Sequence, residues 1–149
     1  MEKEAIAEIA RKLYLEEGYS CSTSLLVALK KSGIDIPDSL IQSVAGLRGG
    51  IGGAGCVCGA LMASVLTVGY LYGKTDEKKA SELAAELHNK FKEQFQSTCC
   101  RVLTRKYSDF SAEGGSASGG KSSERKEHCA GLVEFMILEL IKTMGQTQS

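Results

Sequence analysis

The sequence has few of the side chains that enzymes most often use for acid–base chemistry. Its 149 residues include no tryptophan and only two histidines, and the carboxylates form no dense cluster. Lysine plus arginine and aspartate plus glutamate both total 18, so the formal net charge is zero. Without a basic stripe or an acidic block, the sequence argues against a nucleic-acid partner and against a strongly basic partner. If the chain carries chemistry, its six cysteines are the residues to examine.

The absence of two common cysteine spacings restricts the kinds of site that these cysteines can form. The sequence contains no CxxCH, which disfavours covalent c-type haem, and no CxxC to preorganise two metal ligands. At about 4% of the chain, the cysteines fall short of a disulfide-scaffold composition. The N-terminal segment has no uninterrupted apolar stretch, so we expect no secretory signal and a cytoplasmic location, where thiols are usually kept reduced.

Apolar residues recur at helical spacing through almost the whole chain, and no repeat or convincing strand interrupts the pattern. The clearest stripe is Leu83, Leu87 and Phe91. We therefore predict an all-α fold, a compact single-domain bundle of about five to seven helices over residues 1–149. A stretch rich in glycine, serine and charge at about 108–126 predicts a flexible loop.

A glycine-rich segment precedes the most apolar helix. Gly49–Gly55 holds five glycines in seven residues, which suits close backbone approach or unusual dihedral angles. It matches GxGxxG, but the preceding Ser39–Leu47 reads as a helix, and the lysine of a phosphate-binding loop is missing. We disfavour nucleotide binding and predict a tight turn that brings backbone amides toward Cys58.

The uncharged stretch of residues 49–73 is long enough to span a bilayer. Its glycines, together with Ser64 and Thr67, dilute its hydrophobicity, and the other helices are amphipathic and need a partner for their apolar faces. We therefore expect a central helix buried by its neighbours and no membrane association.

The cysteines lie near predicted helix starts, where amide groups favour the thiolate and lower the pKa of a cysteine. Such positions suit a nucleophile, a redox thiol or a metal ligand. Neighbouring cysteines are poor partners, because helical geometry separates Cys56 from Cys58 and a vicinal disulfide is distorted. Partners from different helices are favoured. The helix-start positions are Cys21, the pair Cys56 and Cys58, the pair Cys99 and Cys100, and Cys129.

These residues resemble a family of putative redox-active proteins that is named for the pattern C…GCAxxG…C…C. The matching pieces cover nearly the whole chain, and Ala63 departs from the pattern where the family has glycine. The resemblance implies a prokaryotic, mostly helical protein with four characteristic cysteines, here Cys21, Cys58, Cys100 and Cys129; Cys56 and Cys99 are extras. The matching pieces are Gly18–Cys21, Gly49–Gly55, Cys58-Gly59-Ala60, Thr98–Leu103 and His128-Cys129.

Three interpretations of the four cysteines remain open. The leading one is thiol–disulfide exchange or electron transfer with an unknown redox partner, in which Cys58 and Cys100 form the central pair and Cys21 and Cys129 complete the set. The alternative is zinc or an iron–sulfur cluster held by the same four thiolates. In the third, small buried thiols only pack. A homo-oligomer is compatible with each of these interpretations.

Four further residues could act on the site or be ordinary surface groups. His128 could serve as a base or ligand beside Cys129, but we predict a solvated side chain; His88 is predicted to lie on the surface. Arg48 and Arg101 could stabilise nearby thiolates or bind an anionic partner, or merely cap and snorkel.

Overall fold

Seven α-helices and two short 3₁₀ turns form the described part of the chain, which in this computed structural model comprises residues 1–107 and 122–147. No strand occurs in these two ranges, so the all-α prediction is confirmed. The helices are α1 Lys3–Glu16, α2 Cys21–Lys31, α3 Asp38–Ser43, α4 Gly59–Tyr72, α5 Glu77–Phe95, α6 Cys100–Leu103 and α7 Ser123–Thr147, and the 3₁₀ turns are Ala45–Leu47 and Arg105–Tyr107.

The second helix begins where the sequence supplies a cap. Gly18, with a φ of 75°, turns the chain after α1. The Ser20 hydroxyl then accepts a hydrogen bond from the Thr23 amide at 3.3 Å, which satisfies one of the amide groups that a helix start leaves unpaired. Cys21 is consequently the first residue of α2, as the sequence predicts.

The core lies where α4 meets α2, α5 and α7, while α1 packs along α7 and α2. The predicted stripe of α5 supplies Leu83, Leu87 and Phe91 to this core. Burying a leucine or phenylalanine stabilises a fold by roughly 1.5–3 kcal/mol. The apolar faces of the amphipathic helices therefore find the partners that their pattern requires.

The central helix α4 is not enclosed on every side. Leu66 and Tyr70, one turn apart, remain exposed, although α4 packs against α2, α5 and α7. The expectation of a central helix buried by its neighbours therefore holds for the face of α4 that packs on these helices but not for Leu66 and Tyr70. Among the described residues, no helix combines the length and the apolar character needed to cross a membrane.

Two helix starts differ from the prediction. α4 begins at Gly59 and not near Cys56, because the preceding residues are extended and pair with another segment. α7 begins at Ser123, where the Ser122 hydroxyl accepts a hydrogen bond from the Arg125 amide at 3.2 Å. The predicted loop at about 108–126 thus ends earlier than expected, and its residues 108–121 lie outside the described residues. Cys129 is in the second turn of α7 and not at its start.

The glycine segment forms a turn with left-handed backbone dihedral angles, and its amide groups donate hydrogen bonds to carbonyl groups of the same turn and of the residues just before it. Residues 49–53 all have φ between 56° and 82°. The amide of Gly52 donates to Gly46 O at 2.9 Å, and that of Gly55 donates to Gly49 O at 3.0 Å. The prediction that these amides turn toward Cys58 is therefore wrong, and the same bonds leave no cradle of amides for a phosphate.

Replacing Ile51 with glycine should stabilise the protein. Ile51 has a φ of 68° and is 52% exposed, so a β-branched side chain holds a left-handed conformation with little burial in return. That conformation costs an L-residue roughly 1–2 kcal/mol. We expect the free energy of unfolding in urea to rise by up to about 1 kcal/mol, because glycine also gains freedom in the unfolded chain.

The matched control for Ile51→Gly is Leu66→Gly, at an exposed apolar position with ordinary helical geometry in α4. There glycine should lower the free energy of unfolding by about 1 kcal/mol. Equal losses in the two variants would show that Ile51 is not strained.

Candidate functional site

Two chain segments far apart in sequence are tied together at the centre of the candidate site. The amide of Cys58 donates to Thr98 O at 2.8 Å, and the amide of Cys100 donates to Cys56 O at 2.7 Å. These two bonds join the segment before α4 to the segment before α6. Cys58 and Cys100, separated by more than 40 residues of chain, are thereby held close to each other.

The pairing also decides which side chains share a face. Val57 and Cys99 form an antiparallel bridge. Since side chains alternate along extended segments, Cys58 and Cys100 fall on the opposite face from that bridge. The pair that the sequence analysis favoured therefore shares one side of this short ribbon.

The glycine turn forms a wall behind Cys100. A Cβ atom placed on Gly50 would lie 2.8 Å from the Cβ of Cys100 and 2.8 Å from the Cys56 amide nitrogen. Only a residue without a side chain fits between these groups, so Gly50 lets the turn pack directly on the cysteine.

The four cysteines that match the family pattern line one cavity. Its volume is about 20 Å³, room for one water molecule. Cys58 and Cys129 are 3% and 4% exposed, whereas Cys21 and Cys100 are half-buried. All six cysteine side chains are thiols in this structure. Residues from the starts of α2, α4 and α6 and from the second turn of α7 thus meet at one place.

Burial dominates the electrostatics of Cys58. It raises the pKa of this thiol to about 12, and the neighbouring Cys100 and Cys129 act in the same direction. The amides of Leu61 and Ala60 at the start of α4 lower the pKa but do not offset the burial. The expectation of a lowered pKa at this helix start is therefore wrong for Cys58, which is a neutral thiol at pH 7.

Tyr14 connects the other two cysteines, a role that the sequence analysis missed. Its side chain is buried with Cys129 and Ala130, and Cys21 packs against the same group. Burial raises the pKa of the Tyr14 hydroxyl, and Cys21 and a hydrogen bond with Cys129 raise it further. In sequence Tyr14 is one of several apolar positions of α1, so nothing distinguished it from a core residue.

Arg125 is the second residue that the sequence analysis missed. Its side chain lines the cavity and is only 2% exposed, and its positive charge lowers the pKa of Tyr14. It lies one turn before Cys129 on α7, a spacing that places both on one helix face. The predicted loop extended over this position, so no helical face was predicted on which Arg125 could be placed.

The two arginines named from the sequence lie differently. Arg48 lines the cavity and is exposed, so it lies at the rim. Arg101 donates to Ala54 O at 3.0 Å and thus ties α6 to the glycine turn. Neither is buried among the thiols as Arg125 is.

Several predicted candidates lie outside the cavity. Cys56 is exposed, and the Cys99 thiol donates to Gly55 O at 3.0 Å. His128 is half-buried, and the centre of its ring lies 5.6 Å from that of Tyr107. Burial lowers the pKa of His128. The prediction of a solvated His128 side chain is therefore corrected. His88 is exposed, as predicted.

A metal centre requires several donor side chains arranged around one point. In residues 1–107 and 122–147, no three side chains of histidine, cysteine, aspartate or glutamate are arranged to hold a metal ion. A zinc or iron–sulfur site at Cys21, Cys58, Cys100 and Cys129 would therefore require these thiols to move. That alternative stays a prediction.

Comparison with known proteins identifies one family. No curated protein and no solved structure matches the chain. The model of one family, described as "Putative redox-active protein (C_GCAxxG_C_C)", matches residues 19–143, a range that contains all the cavity cysteines. Since this range covers most of the sequence, the chain belongs to the C_GCAxxG_C_C family of putative redox-active proteins.

Proposed function

We propose that this protein is a thiol-based oxidoreductase in which Cys58 and Cys100 alternate between a dithiol and a disulfide. The observation that carries the proposal is that the four cysteines of the family pattern, which come from four separate helices, line one cavity. Thiols that only packed in a core would have no reason to gather around a shared space.

The backbone pairing places Cys58 and Cys100 on diagonal positions, from which a disulfide requires a movement of one segment. Diagonal positions on paired extended segments lie about 7–8 Å apart at Cα and somewhat less at Cβ, while a disulfide needs a Cβ–Cβ distance of about 4 Å. Cys100 begins α6, a helix of 4 residues that is joined to the segment before α4 through the amides of Cys100 and Arg101 and through the Arg101 side chain. A shift of α6 toward the start of α4 would close the remaining gap.

Exposure assigns different roles to the two cysteines. Cys100 is half-buried, so a thiolate of a partner dithiol can attack its sulfur in the disulfide form. The Cys58 sulfur then leaves and takes up a proton, because its raised pKa favours the thiol. The partner's second thiol next displaces Cys100, and two electrons and two protons have entered the cavity pair. Cys21 and Cys129, which meet at Tyr14, provide a second pair beside it.

The test is an anaerobic redox titration of the purified protein against oxidised and reduced dithiothreitol. Alkylation and peptide mass spectrometry identify the paired cysteines. We expect a two-electron couple that Cys58→Ser and Cys100→Ser abolish. The matched controls Cys56→Ser and Cys99→Ser remove thiols outside the cavity and should leave the couple in place.

Two other results would reject the proposal. Stoichiometric metal or a visible iron–sulfur absorption band, with no redox-dependent pairing, would favour the four-thiolate alternative. Cys→Ser changes that alter only the free energy of unfolding would favour packing. A cytoplasmic location stays a prediction, and it is consistent with cysteines that begin the cycle as thiols.

A further inference from the structure

The size of the cavity restricts what can reach the thiols inside it. A volume of about 20 Å³ accommodates one water-sized molecule. Cys58, Cys129 and Arg125 are each less than 5% exposed, so only a small molecule inside the cavity can contact Arg125, whereas a bulky reagent can reach only the half-buried Cys100 and without help from Arg125. Hydrogen peroxide is only one oxygen atom larger than water, and it is the smallest common two-electron oxidant of thiols.

The charge in the cavity suits a reaction that creates a negative oxygen. Arg125 is buried in the lining, and among the described residues that line the cavity there is no carboxylate and no histidine. A guanidinium has five N–H donors, so it can donate to a small ligand while keeping its contacts within the protein. Donors fixed in a site from which water is excluded stabilise developing oxyanions strongly.

We infer that hydrogen peroxide is the oxidising substrate of this protein and binds in the cavity between Arg125 and the pair Cys58 and Cys100. The inference rests on the dithiol–disulfide cycle proposed above and names the class of molecule that drives its oxidative half. It also assigns Arg125 a catalytic role that the family's cysteine pattern does not contain.

The reaction balances in two steps. The Cys100 thiolate attacks one peroxide oxygen, the O–O bond breaks, and Cys100 becomes a sulfenic acid. The leaving hydroxide, stabilised by Arg125, takes a proton from solvent and becomes water. The Cys58 sulfur then attacks the Cys100 sulfur, its thiol proton passes to the departing hydroxyl group, and a second water leaves. Two thiols have lost two electrons, and one peroxide has become two waters.

The test uses the full-length reduced protein and follows its oxidation by quenching with an alkylating reagent. Hydrogen peroxide should oxidise the folded protein at least about a hundredfold faster than the urea-unfolded chain, and at least about tenfold faster than cumene hydroperoxide oxidises the folded protein. Arg125→Met should slow the reaction with hydrogen peroxide about a hundredfold. Cys58→Ser should accumulate a sulfenic acid at Cys100 that dimedone traps.

Matched variants separate the role of Arg125 from a general effect of charge. Arg125→Lys keeps the charge and should recover part of the rate, whereas Arg105→Met removes an exposed arginine and should leave the rate unchanged. Circular dichroism shows whether Arg125→Met has folded. If it has not, the comparison of the two peroxides on the unaltered protein still tests the inference.

The failure of this inference is distinct from the failure of the proposed function. A two-electron couple in the dithiothreitol titration, combined with peroxide oxidation no faster than in the unfolded chain, would overturn the peroxide inference and leave the dithiol cycle intact. Equal rates with hydrogen peroxide and cumene hydroperoxide would overturn it as well. Loss of the couple itself would remove the basis of both.

Discussion

Replacing Gly50 with alanine should lower the free energy of unfolding by about 3 kcal/mol and displace Cys100. The added methyl group would lie 2.8 Å from the Cys100 Cβ and 2.8 Å from the Cys56 nitrogen. Overpacking of this kind costs roughly 1–3 kcal/mol, and the φ of 73° adds roughly 1–2 kcal/mol. Urea unfolding measures the loss of stability. The dithiothreitol titration shows whether Cys58 and Cys100 still pair.

Gly52→Ala is the matched control for this substitution. Gly52 has a φ of 56° in the same turn, but a Cβ atom there would have no neighbour within 4 Å. Its replacement should cost only the conformational part, roughly 1 kcal/mol, and leave the redox couple unchanged. Equal losses in the two variants would show that the turn matters for its backbone shape alone and is not a wall behind Cys100.

The glycine segment shows how far sequence reasoning could go. Its composition correctly predicted an unusual backbone, because few residues other than glycine adopt positive φ. The hydrogen-bond acceptors of its amides could not be predicted, since they depend on which carbonyl groups the folded turn brings close. The amides bond within the turn, and the segment acts through the close contact of Gly50 with Cys100.

The helical pattern was predictable for a different reason. A stripe such as that of α5 repeats over several turns, so local spacing alone identifies the buried face. The helix ends were less predictable where the chain outside the helix decides them. Residues before Gly59 pair with the segment before α6, a contact between parts of the chain about 40 residues apart. No local sequence pattern at Cys56 predicts that pairing.

The family resemblance predicted which four cysteines belong together. It did not predict the burial of these cysteines or the side chains around them. Helix starts predict stabilised thiolates only when solvent or charge surrounds the sulfur, and Cys58 is buried. Arg125 and Tyr14 join the site because α7 packs along α1, a tertiary contact that neither sequence segment reveals. The buried arginine of the cavity and the tyrosine that packs on Cys129 could therefore not be predicted from the sequence.

The burial of Cys58 should make the protein lose stability at alkaline pH. Its folded pKa of about 12 exceeds the usual thiol value of 9.0, so the folded protein binds more protons than the unfolded chain between these values. The contribution of Cys58 is therefore fully present below pH 9 and is lost as the pH rises toward 12. At pH 10.5 the loss should be of the order of 2 kcal/mol. Urea unfolding at pH 8 and pH 10.5, with a reductant present, measures it.

Other groups also titrate between pH 8 and pH 10.5. The contribution of Cys58 is therefore the difference between the stability losses of two variants. Burial also raises the pKa of the Tyr14 hydroxyl, so the ionisation of Tyr14 lowers the stability of every variant in the same direction. Cys58→Ala should shrink the drop between pH 8 and pH 10.5 by about 2 kcal/mol, whereas Cys56→Ala, at an exposed cysteine, should retain the full drop. If Cys58→Ala keeps the wild-type drop, Cys58 ionises as an ordinary thiol. It would then be a candidate to attack the oxidant itself, and the assignment of attack to Cys100 and resolution to Cys58 would have to be reversed.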